Sequence, residues 1–152
     1  MLFRSQITEA NNNTYVYDGH GRRVKRYTQD LGFTEYSMYN KAGKLLYREK
    51  NSLPIDYIFM GKLQVARVDS GTQYIHTDLL GSPAVETNSA AAEIANTRLH
   101  YRPFGATVEA PKDEVGFTGH KFDTDLELSY MQARYYDPAI GRFYSKDRKS
   151  VV

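Results

Sequence analysis

A glycine that follows an aromatic residue returns at a spacing of about 20 residues along this 152-residue chain. The glycines are Gly21, Gly43, Gly61, Gly81 and Gly105. The aromatic residues that precede them are Tyr17, Tyr39, Tyr57, Tyr74 and the pair Tyr101 and Phe104. A loose period of this length is typical of repeated supersecondary units that bury their apolar faces only against one another.

The first unit, "TYVYDGHGRRVKRYT", has the two-residue alternation of a β-hairpin. Asp-Gly is a strong turn signal, because glycine reaches positive φ without steric penalty. Strict alternation predicts one face that carries Tyr15, Tyr17, Val24 and Arg26. It predicts that the opposite face carries Val16, Arg23 and Lys25.

The second unit, "YNKAGKLLYREK", repeats the arrangement. Asn40 opens the predicted turn, Gly43 closes it, and Leu45 and Tyr47 are expected to continue one face. The later stretch "NSAAAEIANTRL" (88–99) contains helix formers, but its repeat context favours a hairpin connection over a short helix.

These signals predict an all-β fold of antiparallel hairpins lying side by side in one curved, spiralling sheet over an aromatic core. A single hairpin is marginal in water, because it cannot cover its own apolar face. The chain has 13 Tyr and 7 Phe, and a tyrosine ring can cover a neighbour while its hydroxyl stays wet. The repeat is therefore interpreted as building a sheet.

Composition excludes several classes of protein. The absence of cysteine rules out disulfides and thiolate chemistry. The 20 basic and 18 acidic residues are interspersed, which argues against nucleic-acid binding through charge alone. No apolar run approaches the roughly 20 residues that span a bilayer, and the start, "MLFRSQITEA", lacks the apolar core of a signal peptide.

The histidines are scattered singly, so only "HTD" brings two candidate metal ligands, His76 and Asp78, to one face of a strand. The favoured interpretation is that both residues hydrogen-bond around the following turn, which contains Leu80 and Gly81. No metal or cofactor is expected. A hydrolytic triad through Ser82 is a weaker alternative, because no nucleophile elbow surrounds this serine.

Two pairs of acids, Asp113 with Glu114 and Asp123 with Asp125, could serve acid–base chemistry. Both pairs are interpreted instead as solvated loop residues, because they lie in polar connections. The cluster "ARYYDP" (133–138) could stack on a sugar or a base, but core packing and a turn are favoured there. The strand that follows is either paired or left as an edge that invites another chain.

Four stretches together resemble the Rhs/YD-repeat family. They are "YDGHGRRVKRY" (17–27), "YIHTDLLGSPAVETN" (74–88), "YRPFGATV" (101–108) and "GFTGHKFDTDLELSYMQARYYDPAIGRFYSKD" (116–147). The last is similar along its whole length to the end of the Rhs-associated core. The family's structural motif positions correspond here to Tyr17, Asp18, Gly21, Gly43, Gly61, His76, Asp78, Gly81, Pro83, Pro103, Phe104, Gly105, Gly119, Arg134, Tyr135, Tyr136, Asp137, Pro138, Gly141, Arg142 and Phe143.

The resemblance implies a spiralled β-sheet that closes into a hollow shell. In bacterial members this shell encloses a toxic C-terminal domain that is exported, often by type VI secretion. In the related animal teneurins it forms part of a cell-surface adhesion receptor. The implied location is the bacterial cytoplasm before export, or the cell surface.

The chain also departs from the toxin members. Their core continues to an aspartate-proline-x-glycine-leucine site of self-cleavage, whereas "DPAIGR" (137–142) has the wrong spacing. The chain is therefore interpreted as a fragment or orphan copy that lacks the cleavage site, the toxin and many upstream repeats. The expected segments are a lead-in (1–14), hairpin repeats (15–73), the core signature region (74–147) and a tail (148–152).

The predicted function is a non-enzymatic scaffold or encapsulating wall of a secreted polymorphic toxin. The expected partners are the remainder of the shell or the toxin domain, with self-association through exposed strand edges. Two alternatives stay open. One is a module that binds carbohydrate or a cell surface, with a glycan as partner, and the other is part of a self-cleaving core that uses aspartates.

Overall fold

The computed structural model describes residues 6–132 and 134–144, and almost every regular element in them is a β-strand. One antiparallel sheet contains, in chain order, β1 (Glu9–Ala10), β2 (Asn13–Tyr17), β3 (Arg23–Thr28), β4 (Phe33–Tyr39), β5 (Leu45–Lys50), β6 (Leu53–Met60), β7 (Leu63–Val68), β8 (Thr72–Thr77) and β9 (Pro83–Thr87). A second sheet contains β10 (Lys121–Asp123), β11 (Leu128–Met131), β12 (Arg134–Asp137) and β13 (Arg142–Phe143).

The predicted all-β fold class is confirmed, but the expectation of one sheet is wrong, because the last four strands pair only among themselves. A single turn of 3₁₀-helix, Phe117–Gly119, is the one helical element in the described ranges. No helix within those ranges is long and apolar enough to cross a membrane.

Three hairpins close through the same kind of turn, which Asp18, Asn40 and Asp78 open. In the first turn the Asp18 carbonyl accepts a hydrogen bond from the Gly21 N–H at 2.9 Å. The Asp18 carboxylate also accepts one from the Arg22 N–H at 2.8 Å. The side chain therefore satisfies backbone donors that the sharp bend leaves unpaired. These turns lie where the sequence predicts them.

The backbone conformation of Gly81 shows why this turn favours glycine. Its φ is +84°, and a Cβ there would lie 3.6 Å from Leu63 Cδ2, which is ordinary contact. The cost of a side chain is therefore backbone strain. We expect Gly81→Val to lower the free energy of unfolding by roughly 1–3 kcal/mol in urea denaturation.

The matched control for this variant is Gly19→Val. Gly19 lies in the first turn, outside the left-handed region, and nothing lies within 4 Å of the position of its Cβ. We expect this substitution to change stability by no more than about 0.5 kcal/mol. Equal losses in the two variants would show that positive φ is not the reason for the glycine.

Bulges correct the predicted faces of the first two hairpins. In the first, Tyr15 pairs with Arg26 but Tyr17 pairs with Arg23, so Val24 is an extra residue. Arg23 therefore lies on the same face as Arg26, and both side chains are 2% exposed. The prediction that they face opposite ways is wrong, because an extra residue reverses the alternation beyond it.

The second hairpin contains the same irregularity. Tyr39 pairs with Leu45 and Met38 pairs with Tyr47, which leaves Leu46 as the extra residue. Leu45 is buried, whereas Tyr47 lies on the opposite face, so the prediction that they share a face is wrong.

Residues 88–99 form a hairpin connection, as the repeat context predicts. The Asn88 carboxamide oxygen accepts from the backbone N–H groups of Ala90 and Ala92 at 2.9 and 3.0 Å. Beyond this turn, the Ile94 N–H donates to the Glu86 carbonyl at 2.9 Å. The connection therefore folds back along β9 and covers part of that edge of the nine-stranded sheet.

The core lies between one face of the nine-stranded sheet and the chain from residue 99 to residue 144. Buried tyrosines come from both sides, which agrees with the expected aromatic core: they are Tyr15, Tyr57, Tyr130, Tyr135 and Tyr136. Charged residues are buried beside them, and those residues form the site described next.

Candidate functional site: an ionic seam between the two sheets

Eight charged residues meet between the nine-stranded sheet and the segment that packs on it. We call this cluster the ionic seam. Its members are Arg23, Arg26, Glu35, Arg48, Asp113, Glu114, Lys121 and Asp123. The first four come from β3, β4 and β5, and the bulge at Val24 puts Arg23 on the same inward face as Arg26. The last four come from β10 and the segment before it.

Arg23 and Asp123 form a fully buried, bidentate pair of the ionic seam. The guanidinium Nη1 and Nη2 atoms lie 2.5 and 2.8 Å from the two carboxylate oxygens, a bidentate geometry. Their side chains are 2% and 0% exposed. The guanidinium also contacts two aromatic rings, at 5.0 Å from the centroid of Tyr15 and 4.6 Å from that of Tyr130.

The charge state of Asp123 follows from its neighbours. Burial alone would raise the pKa of this carboxyl, but Arg23 and Lys121 hold it well below its ordinary value. Lys121 Nζ lies 2.9 Å from Asp123 Oδ1 and 2.6 Å from Asp113 Oδ1. Asp123 is therefore ionised at neutral pH and joins β10 to β3.

Asp113 is the second acid that links the two sides. It accepts hydrogen bonds from Arg26 Nη2 at 2.8 Å and from Lys121 Nζ at 2.6 Å. Burial opposes ionisation, but Lys121 and Arg26 lower the pKa of Asp113 well below its ordinary value. Arg26 also contacts Glu35 on the neighbouring strand at 3.1 Å. One arginine thus holds acids from both sides of the interface.

Glu114 extends the ionic seam toward the middle of the nine-stranded sheet. It accepts a hydrogen bond from Arg48 Nη2 at 3.0 Å and a short one from the Tyr57 hydroxyl. Burial and the Glu114 charge raise the pKa of Tyr57 well above its ordinary value, so this hydroxyl stays a donor. Arg48 Nη1 donates to the Asp113 carbonyl at 2.8 Å, which fixes the backbone as well.

These contacts correct the interpretation of the two acid pairs as solvated loop residues. Asp123 is fully buried, and Asp113 and Glu114 have side chains only 17% and 16% exposed. Asp125 is more exposed, but it still lies 3.2 Å from Arg26. All four acids are ion-pair partners, and the lowered pKa values of Asp113 and Asp123 make these two carboxyls poorly suited to donate a proton at neutral pH.

The motif residues of the two ends of the chain come together in the fold. The Tyr17 and Tyr135 hydroxyls lie 3.0 Å apart, and the Tyr136 hydroxyl donates to the Phe104 carbonyl at 2.9 Å. The Phe143 ring packs on Tyr136 at 5.1 Å between centroids. Tyr135 and Tyr136 are thus core residues, as the favoured interpretation of that cluster expects.

The remaining motif residues shape turns and strand ends. The Asp137 carboxylate accepts from the Ala139 N–H at 2.8 Å beyond the buried Pro138. Arg134 lies over the Phe143 ring at 3.8 Å, and Arg142 pairs with Asp137 across β12 and β13. Pro83 begins β9, and Pro103 lies in an exposed turn. The motif glycines with positive φ are Gly21, Gly43, Gly61, Gly81, Gly105, Gly119 and Gly141.

The predicted turn contacts are present for Asp78 but not for His76. The Asp78 carboxylate accepts from the N–H groups of Leu80 and Ser82, both at 2.8 Å. His76 is exposed and hydrogen-bonds to Thr87 at 2.9 Å, away from the turn. The buried Ser82 hydroxyl accepts from the Thr118 N–H at 3.1 Å, so no triad with His76 forms. The described residues contain no group of three possible metal ligands.

Sequence reasoning missed the arginines of the ionic seam, although a signal was present. Arg26 and Arg48 of the ionic seam, together with Arg67 outside it, recur at about the spacing of the glycines. All three point to the same face, and Arg67 contacts Glu86 at 3.0 Å. An arginine that recurs with the structural repeat indicates a row of ion pairs along one face of the sheet.

Comparison with known proteins places this geometry in a family. The family described as Teneurin YD-shell matches residues 2–151. Among curated proteins, the tRNA3(Ser)-specific nuclease WapA of Bacillus spizizenii is 26% identical over 144 residues, which cover 88% of this chain and 6% of that protein. The tRNA nuclease WapA of Bacillus subtilis is 24% identical over the same length and share.

Solved structures share the fold at low identity. The crystal structure of TcdB2-TccC3 matches with a TM-score of 0.67 and 22% identity, over 90% of this chain and 8% of that one. The Tc holotoxin pore of Photorhabdus luminescens, with the TccC3 mutation D651A, matches with a TM-score of 0.69 and 22% identity, over 92% and 8%. The chain thus spans less than a tenth of these relatives. Because the family model matches almost the whole chain, the chain belongs to the Teneurin YD-shell family.

Proposed function

We propose that this chain forms a stretch of the wall of a Rhs/YD-repeat shell and positions no reacting group. The observation that carries the proposal is the pairing of its buried acids. Asp113, Glu114 and Asp123 all contact arginine or lysine side chains of the ionic seam. Such pairs fix one sheet on the other, and the neighbouring cations lower the pKa of Asp113 and Asp123, whereas a general acid needs a raised pKa.

The wall would belong to a larger shell that encloses a toxin. The curated relatives are named as tRNA nucleases and the solved relatives belong to Tc toxin assemblies, and the chain spans only 6% and 8% of the first of each. In the described residues, β1 and β13 each pair with one neighbour only. Further shell strands could extend the sheets there, and self-association through the same edges is the alternative.

A wall segment without chemistry makes a direct prediction. We expect the purified chain to leave tRNA uncut and to keep its intact mass on standing, as measured by gel electrophoresis and mass spectrometry. Pancreatic ribonuclease on the same tRNA is the positive control. Cleavage of tRNA, or of the chain itself, that a single aspartate or histidine substitution abolishes would contradict the proposal.

The opposite face of the nine-stranded sheet favours one second candidate, adhesion to a glycan. Tyr27, Tyr36 and Tyr74 are 39%, 45% and 45% exposed there, and exposed rings can stack on sugars. Binding on a glycan array that Tyr36→Ala and Tyr74→Ala weaken would favour this function. If no glycan on the array is bound, the role as a shell wall is favoured over adhesion.

A further inference from the structure

Hairpin turns lie at both ends of the nine-stranded sheet, because its consecutive strands run antiparallel. The turns after β1, β3, β5 and β7 lie at one end, and the turns after β2, β4, β6 and β8 lie at the other. All of these turns lie within the described residues. Their side chains therefore define two end surfaces of the sheet that can be compared directly.

The first end surface is acidic, and we call it the acidic end. Asp30 and Asp69 are the charged residues of its four turns. The Asp69 carboxylate lies 3.7 Å from Arg67 Nε, whereas the Asp30 carboxylate accepts from the neutral Asn12 amide at 3.0 Å. The charge of Asp30 is thus open to a cation from another molecule.

The turn between β10 and β11 adds to the acidic end. Asn11, in the turn after β1, donates its side-chain N–H to the Asp125 carbonyl at 2.6 Å, so Asp125 lies at this end too. The Asp125 side chain is 40% exposed, although it lies 3.2 Å from Arg26. Lys50, at the last position of β5, lies 3.7 Å from Asp113 within the chain. The acidic end therefore presents negative charge to the solvent.

The opposite end surface is basic, and we call it the basic end. The charged residues of its four turns are Arg22, Lys41, Lys44 and Lys62, with Asp18 and Asp78. Arg22 and Asp18 offset each other, because they form an ion pair at 2.8 Å. Lys41 and Lys62 are exposed in their turns. The two ends of the sheet therefore carry opposite charges.

Each end also carries two exposed leucines. Leu31 and Leu53 lie in or beside two neighbouring turns of the acidic end, and Leu79 and Leu80 share one turn of the basic end. All four side chains are at least 66% exposed. A single exposed leucine is normal, but leucines beside acids at one end and beside lysines at the other make the two ends complementary to each other.

One register places these features opposite one another. If a second copy of the sheet is shifted by three strands, its turns after β3 and β5 face the turns after β6 and β8 of the first copy. Asp30 then faces Lys62, and Leu53 faces the turn that contains Leu79 and Leu80. The shift amounts to roughly 14 Å, because neighbouring strands lie about 4.8 Å apart.

A third pair of turns favours the same register. The turn after β1, which contacts Asp125, faces the turn after β4, which contains Lys41. A shift of one strand would instead place Leu53 against Lys62, which is an apolar side chain against a charge. The shift of three strands therefore pairs charge with opposite charge and leucine with leucine.

We propose that the acidic end of one copy of this chain docks on the basic end of a second copy, with this shift of three strands. The contact is head to tail, so further copies can add in the same way. Three facing turns make a small contact, which belongs to the weak interfaces that bury less than about 1,200 Å².

This proposal rests on the wall function, because rows of hairpins stacked end to end would extend a wall along the direction of the strands. The two can nevertheless fail separately. Stability of tRNA and of the intact chain does not depend on association, and cross-linking between copies does not depend on whether the chain has an activity.

Site-specific cross-linking tests the contact, because the chain contains no cysteine of its own. Leu53→Cys and Leu80→Cys variants, one of them labelled with a heavy nitrogen isotope, would be mixed at low salt with a short bismaleimide. Mass spectrometry then measures the mixed dimer. We expect at least about tenfold more of it than from Leu53→Cys mixed with Leu31→Cys, because two acidic ends repel each other.

Charge reversal tests whether Asp30 and Lys62 face each other. Adding Asp30→Lys to the Leu53→Cys chain, or Lys62→Glu to the Leu80→Cys chain, should lower the yield of mixed dimer at least about threefold. Mixing the two altered chains should restore at least about half of the original yield, because opposite charges face each other again. Salt at about 0.5 M should lower the yield from the chains without charge reversal.

Three outcomes would overturn the proposal. They are a mixed dimer from Leu53→Cys and Leu80→Cys that forms no faster than the same-end control, a yield that neither single charge reversal lowers, and a yield that the combined reversals do not restore. If a charge variant does not fold, as judged by circular dichroism, the same-end control and the salt dependence still decide.

Discussion

Replacing Asp123 by asparagine is expected to lower the free energy of unfolding by roughly 3–5 kcal/mol, the usual cost of breaking a buried ion pair. The change keeps the shape of the side chain but removes its charge. Arg23, which is 2% exposed, and Lys121 would then keep positive charges in a buried site without their shared anion. The cost of removing these cations from water, which the carboxylate offsets in the unaltered chain, would then be left uncompensated.

The size of this effect can be judged against total stability. A domain of this size is typically stable by about 5–15 kcal/mol, so the Asp123→Asn variant would lose a large share of the whole. Urea denaturation followed by circular dichroism measures the loss. Glu93→Gln is the control, because the Glu93–Arg98 pair is nearly as close, at 2.6 Å, but about half exposed. We expect no measurable change in that variant, and equal effects in the two would contradict the account.

Gly105→Ala is expected to cost roughly 2–5 kcal/mol, from backbone strain and steric overlap together. Gly105 has φ of +90°, and a Cβ built on it would overlap the Phe117 ring. That ring cannot easily move away, because it packs on Tyr101 at 5.9 Å and on Tyr136 at 6.5 Å between centroids. The substitution would therefore push apart the segments that close over the core.

A second glycine separates the two causes. Gly61 also has positive φ, at +63°, but nothing lies within 4 Å of the position of its Cβ. Gly61→Ala should therefore show the strain alone, roughly 1–2 kcal/mol, in the same denaturation measurement. If both alanine variants lose the same stability, the close packing of Phe117 against Gly105 is not what requires the glycine.

The turns and the fold class could be predicted from the sequence because their causes are local. An aspartate or asparagine three residues before a glycine is enough to predict a turn, and Asp18 with Gly21 shows both the hydrogen bond and the positive φ. Alternation around such turns then predicts strands. The face of each residue beyond a bulge could not be predicted in this way, because Val24 and Leu46 each shift the pairing by one residue.

The ionic seam could not be predicted because its partners are distant in sequence. Arg23 and Asp123 are separated by 100 positions, and an acid in a polar stretch is usually solvated. The second sheet was missed for a related reason, because its strands have only two to four residues each. The sequence did contain a periodic signal, the recurrence of Arg26, Arg48 and Arg67. Its meaning is clear only in the folded sheet, where these arginines lie on one face.

A double-mutant cycle on Arg23 and Asp123 tests most directly whether paired charges join the two sheets. The free energies of unfolding of Arg23→Met, Asp123→Asn and the double variant would be compared with that of the unaltered chain. We predict a coupling energy of at least about 1.5 kcal/mol, with the double variant more stable than the sum of the single losses implies. A coupling energy below about 0.5 kcal/mol would contradict the account, because it would mean that the two residues stabilise the fold independently.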